Sequence, residues 1–150
     1  MREILFRAKR LEDGKWVEGF YYKMNETTYA FADDYEKNPV PTHHYIIFER
    51  MTDWGLPNQM YRVEVDGKTV CPYTGLTDKK GRKIFEGDIV RYTDEVTGKE
   101  KVDGIEYNET NAAFCRLHGS EMGLQHLFID ETIASRCNVI GNIFDNSKLL

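Results

Sequence analysis

The sequence is poor in the materials of covalent frameworks and of reactive centres. Its 150 residues hold three cysteines, Cys71, Cys115 and Cys137, an odd count that argues against a disulfide scaffold and for buried thiols. Serine is as scarce: only Ser120, Ser135 and Ser147 occur, and none sits in the G-x-S-x-G elbow used for acyl transfer. No G-x-x-x-x-G-K-[ST] or G-x-G-x-x-G string supplies a backbone cradle for phosphate. No apolar run approaches the roughly 20 residues that cross a bilayer, and the start Met1-Arg2-Glu3-Ile4 is charged, unlike a signal peptide. These absences predict a chain without membrane contact, resident in the cytoplasm. Low-complexity segments and repeats are also missing. So is an excess of positive charge: 20 Lys and Arg against 25 Asp and Glu leave a net charge of −5, which repels nucleic acid over the molecule as a whole.

What remains is an ordinary globular composition, 41% hydrophobic and 30% charged, at a length suited to one domain or two small ones. All four prolines lie between Pro39 and Pro72. That distribution predicts an irregular middle, dividing an N-terminal β subdomain over 1–70 from a C-terminal one over 71–150 unless the two run together as one domain.

Strand signals dominate. Glu3 to Arg10 alternates apolar and charged residues, Glu12-Asp13-Gly14-Lys15 turns the chain, and Trp16 to Tyr22 returns it as the second arm of a hairpin. Thr27 to Ala32 reads as a third strand, and the polar run from Asp33 to Thr42, with Pro39 and Pro41, as a loop. Strand character resumes at Tyr45 to Phe48. Tyr61 to Val65 alternates well, and Asp66-Gly67 reads as a hairpin turn into Thr69-Val70. Further strands are expected over Lys101 to Tyr107, Ala112 to Leu117 and Arg136 to Phe144. From His118 to Ile133 a loop with one helical turn is expected, since Gly119 and Gly123 weaken the helical spacing of Leu124, Leu127 and Phe128. Short strands joined by short turns are the pattern of a small barrel.

The densest block of local signals is Tyr73 to Tyr92, YTGLTDKKGRKIFEGDIVRY. Asp78 is placed to accept backbone N–H groups two residues on, and Gly81 to take the left-handed conformation that closes a hairpin turn. Gly87, between Glu86 and Asp88, marks a bulge or corner before Ile89-Val90.

This run resembles the signature of the YopX family of bacteriophage and prophage proteins, a TGL-D-x-x-G-x-x-I-[YF]-EGDIV string. The opening MREILFRAKRLEDGKWVEGFYY is similar to the family's start, and Val139-Ile140-Gly141-Asn142-Ile143-Phe144-Asp145-Asn146 to its closing V-I-G-N-I-x-[DE]-N. Cys71-Pro72 and Asn146-Ser147 depart locally from that pattern. The resemblance implies a mainly β protein of short antiparallel strands, with an SH3-like barrel in the C-terminal half, and a phage or prophage protein of uncharacterised role.

Chemical candidates are few. Cys115-x-x-His118, followed by His126 and Cys137, contains zinc-ligand types, but the second pair is widely spaced for a structural site. His43 and His44 are neighbours beside a strand and point to opposite faces. Glu86 and Asp88 could serve as an acid and a base, yet the Gly87 corner gives them a turn role first. The basic tip Lys79, Lys80, Arg82 and Lys83, together with Tyr92, offers cations and an aromatic ring to nucleic acid or a partner. The expected protein is therefore a non-catalytic binding or assembly module without cofactor or metal, homo-oligomeric or engaging a host or phage protein. The alternative is a nucleic-acid accessory protein using the basic tip.

Overall fold

The computed structural model describes residues 3–120 and 123–150. The chain is mainly β and divides into two compact units, one of Leu5–Val70 and one of Cys71–Leu150 together with Glu3 and Ile4.

In the first unit, β1 (Phe6–Lys9) and β2 (Trp16–Asn25) form the expected antiparallel hairpin, with Phe6 opposite Gly19 and Lys9 opposite Trp16. Gly14 turns it at a φ of 67°, a left-handed conformation that costs a glycine little. β2 then pairs with β3 (Thr42–Arg50), and β3 with β4 (Gln59–Glu64). Side chains alternate across this sheet. One face buries Ala8, Ile46 and Val65 with Phe6, Val17, Tyr21, Phe48 and Val63 around them.

Three expectations fail in this unit, one of them the loop read over Asp33 to Thr42, whose first part is helical. The strand predicted over Thr27 to Ala32 is absent: β2 continues to Asn25 and returns in β3, so those residues lie in the connection. That connection contains α1 (Ala32–Lys37), with Asp33 and Asp34 in its first turn, where a helix favours negative charge. Its aromatics pack on each other, Tyr29 edge-on to Tyr35 at 5.1 Å. The hairpin predicted at Asp66-Gly67 is instead a 3-10 turn over Gly67–Thr69, started by the Asp66 side chain accepting the Lys68 N–H at 2.9 Å. Asp66 starts that turn, and Thr69 lies within it instead of in a returning strand.

The second unit begins with β5 (Cys71–Thr77) paired to β6 (Lys83–Phe85). Next come β7 (Asp88–Thr93), β8 (Glu100–Asn108), β9 (Ala113–Ser120), β10 (Gly123–Phe128), α2 (Glu131–Ala134) and β11 (Asn138–Asn142). Five of them make an antiparallel sheet in the order β10-β9-β8-β7-β11. The expected pairing of the last strand with Ile89 and Val90 is present: Val139 lies opposite Val90 and Gly141 opposite Ile89. Ile84, Val90, Ile105, Ala134 and Cys137 form the core.

The region from His118 to Ile133 is a strand rather than a loop over much of its length. β9 runs on past His118, and β10 folds back on it, with Leu124 opposite Gly119 and Phe128 opposite Cys115; only Glu131–Ala134 is the expected helical turn. The helical spacing of Leu124, Leu127 and Phe128 gave way to cross-strand pairing, which propensity alone does not reveal. The implied SH3-like barrel is not seen as a closed sheet: among the described residues, β10 and β11 are the two edges of an open one.

Candidate functional site

The signature turn folds around one carboxylate. Asp78 Oδ1 accepts the N–H groups of Lys80 at 2.8 Å and Arg82 at 2.9 Å, while Oδ2 accepts Arg82 Nε at 2.8 Å and the Val139 N–H at 3.1 Å. Gly81 supplies the left-handed residue at a φ of 76°. Burial pushes the Asp78 carboxyl up, but the Arg82 and Val139 N–H groups, the Arg82 guanidinium and the Lys80 N–H outweigh it and hold it down to about 2. The Lys79 N–H donates to the Cys137 carbonyl at 3.0 Å, so the tip is anchored to the start of β11.

That anchoring commits half of the basic tip. Arg82 is held by Asp78, with a second guanidinium nitrogen 2.6 Å from Oδ2. Lys83 lies 3.4 Å from Glu3 and 5.6 Å from the centre of the Tyr73 ring. Lys79 and Lys80 are exposed. Tyr92 is engaged elsewhere: its hydroxyl donates to Asp103 Oδ2 at 2.8 Å, and Arg116 lies over its ring at 4.4 Å. The five residues nominated from sequence are therefore distributed between a turn and a buried polar cluster.

The other candidates are likewise dispersed. Asp88 is buried and accepts the Phe85 N–H at 2.8 Å, whereas Glu86 faces the Tyr107 N–H at 3.2 Å. Both organise the Gly87 corner, where Gly87 donates to the Ile105 carbonyl and accepts from Ile143, each at 2.8 Å. Cys115 and His118, three residues apart on β9, fall on opposite faces of the sheet. His126 shares the Cys115 face and contacts Glu106, and His118 Nδ1 lies 2.7 Å from Asp103. His43 bridges Glu64 at 2.6 Å and Glu26 at 2.7 Å, while His44 meets the Tyr21 hydroxyl at 2.7 Å on the other face.

The sequence nominated no surface in the first unit, yet its sheet presents an apolar one. Phe20 lies opposite Ile47, Tyr22 opposite Tyr45, and Met60 beside them on β4 opposite Glu49. These side chains occupy the face away from the core. Phe20 is 64% exposed, Tyr22 50% and Met60 79%. Arg62 extends over the Tyr45 ring at 5.2 Å, and at the β1 end Arg7 and Lys9 lie over Trp16 at 4.8 and 5.4 Å. The available signal was parity: Trp16 to Tyr22 is apolar or aromatic at both odd and even positions, more than one buried face requires.

A family model described as YopX protein matches residues 5–150. Among solved structures, the crystal structure of protein EF1440 from Enterococcus faecalis is similar at 19% identity, covering 100% of this chain and 99% of that one, with a TM-score of 0.45. No curated protein matches the chain.

Proposed function

The chain belongs to the YopX protein family, and we propose that it works as a non-catalytic phage or prophage assembly module in the host cytoplasm, pairing with a second copy of itself. The observation that carries this reading is the aromatic outer face of the β2–β3–β4 sheet. A soluble chain that leaves Phe20, Tyr22 and Met60 open to water has apolar surface available for association. Aromatic residues, Met and Arg are also the types enriched at interfaces. The face carries both charge signs around its apolar centre, with Arg62 on β4 and Glu49 on β3. A copy docked about a two-fold axis can therefore set Arg62 opposite a carboxylate, as an isologous interface requires.

The basic tip supports a nucleic-acid role less well. With Arg82 held by the buried Asp78, a phosphate contact there would rest on Lys79, Lys80 and Lys83, the last in a weak exposed pair with Glu3.

Light scattering during size exclusion tests the reading. The wild type is expected to elute at twice the 17.5 kDa chain mass. The double variant Phe20→Asp/Met60→Asp is expected to elute at the single mass with unchanged circular dichroism, its dimer weakened at least about tenfold. A wild type that stays monomeric at about 100 μM, a concentration where micromolar dimers are formed, would refute self-assembly; a host or phage protein would then be the occupant to seek.

A further inference from the structure

A second site lies in the Cys71–Leu150 unit, on the inner face of its five-stranded sheet. Pairing of β7, β8 and β9 brings Tyr92, Asp103, Arg116 and His118 onto that face. Asp103 is fully buried. Its Oδ2 accepts the Tyr92 hydroxyl at 2.8 Å, and its Oδ1 lies 2.7 Å from His118 Nδ1. Asp103 is thus well supplied with partners before Arg116 is considered.

Arg116 is not. It is 8% exposed, it reaches Asp103 Oδ2 through Nη1 at a long 3.5 Å, and its Nε is buried without a hydrogen-bond partner. A guanidinium offers five donors in a fixed fork, and burying one of them, here Nε, unmet is costly. Such an unmet donor asks for an explanation, and an ordered water or a bound ion is a common one. Nη1 faces Asp103, and the Arg116 side chain also lines the cavity beside it; a guanidinium is suited to grip two oxygens of a planar or tetrahedral oxyanion.

Beside Arg116 lies a cavity of about 270 Å³, whose wall includes Tyr92, Val96, Ile133 and Arg136. Two carboxylates also line it, and both have cations: Asp94 with Lys101 at 2.9 Å, and Glu95 with Arg136. The Glu95–Arg136 pair is exposed on both sides. Exposed pairs of this kind contribute little, so an incoming anion can take Arg136 from Glu95 at small cost.

We propose that this cavity binds a small ligand through a carboxylate or phosphate group, gripped by Arg116 from the inner wall and by Arg136 from the rim, with Val96 and Ile133 against its apolar part. The cavity suits a small molecule, being just below the usual range of ligand pockets, roughly 300–1,000 Å³.

The test follows the arginine Nε–H signals of ¹⁵N-labelled full chain by NMR. Sodium phosphate and disodium succinate are titrated separately, at ionic strength held constant with sodium chloride. A saturable shift at Arg116 is expected with at least one probe, with an apparent Kd on the order of millimolar or tighter. Saturation by phosphate alone identifies a phosphoryl ligand, and by succinate alone a carboxylate. Arg136→Ala, a change at an exposed pair that leaves the core intact, is expected to weaken that binding at least about tenfold. Arg116→Gln is expected to abolish it, and the Arg136 variant carries the test if Arg116→Gln does not fold. Shifts that stay linear with both probes, or an affinity unchanged in Arg136→Ala, overturn the proposal.

Discussion

Replacing Asp78 with asparagine is expected to destabilise the fold by about 2–3 kcal/mol, the scale of losing charge-assisted hydrogen bonds at a buried group. The substitution keeps the shape of the side chain but not its charge. It also puts an amide where Oδ1 or Oδ2 accepts from Lys80, Arg82 and Val139. Because those donors belong to the tip and to β11, the damage extends from the turn to the anchor of the last strand. At this chain length the melting temperature is expected to fall by roughly 4–12 °C. The loss is also pH-dependent, with a definite sign. The folded carboxyl titrates at about 2 against an ordinary 3.8; between those values the unfolded chain binds the proton more readily, so stability rises with pH there. The contribution of Asp78 is therefore complete above about pH 4 and disappears as pH falls through 2. Thermal denaturation of both proteins from pH 7 to pH 2 is the measurement. The wild type is expected to lose its advantage over Asp78→Asn below pH 4, and a gap that stays constant to pH 2 would show that the carboxylate charge is not what holds the turn.

The same residue shows why parts of the fold were legible. Asp78 and Gly81 act within a few residues of themselves, so sequence chemistry suffices to place the turn. The Glu86-Gly87-Asp88 corner is legible for the same reason. What the sequence did not reveal was the distant partner: Val139 at the Asp78 carboxylate, and Ile143 on Gly87, join the central signature to the closing string. Lys83 read as a free cation because its partner Glu3 comes from the other end of the sequence, whereas Arg82 is met by Asp78 only four residues away. Thr27 to Ala32 failed in the opposite way. Its β-branched and aromatic residues have strand propensity, but a strand needs a neighbour, and β2 and β3 already pair with each other.

The apolar outer face was half legible. An aromatic-rich N-terminal strand announces surplus hydrophobic surface, but only the register of β2, β3 and β4 shows that Phe20, Tyr22, Tyr45, Ile47 and Met60 share one face. Arg116 was not legible at all. A lone arginine in a strand carries no signal until the sheet sets it over Tyr92 and beside Asp103.

Gly19→Ala is expected to be the other severe substitution, and it bears on the same outer face. Gly19 sits in β2 directly before Phe20, where β2 and β3 approach closely. A methyl group there would lie 2.3 Å from the Ile47 carbonyl oxygen and 2.8 Å from a methyl of Ile46. Neither neighbour yields easily, because the first is backbone and the second is a fully buried core side chain. The sheet must open between β2 and β3, or Ile46 must leave its rotamer. Overpacking of this kind costs typically 1–3 kcal/mol and occasionally more; with a backbone atom this near, a loss of about 3 kcal/mol is expected, a fall of roughly 6–12 °C in melting temperature. Ile47 and Phe20 face each other across that gap, so the outer face should lose its shape together with its stability. The contrast with Phe20→Asp/Met60→Asp is the informative comparison. The exposed double substitution should abolish pairing at little cost to the fold, whereas Gly19→Ala should lower the melting temperature of the monomer itself, measured at concentrations too dilute for pairing. A Gly19→Ala melting point within 1–2 °C of wild type, less than a 1 kcal/mol change produces at this size, would mean that β2 and β3 do not approach this closely and that the face built on them needs redrawing.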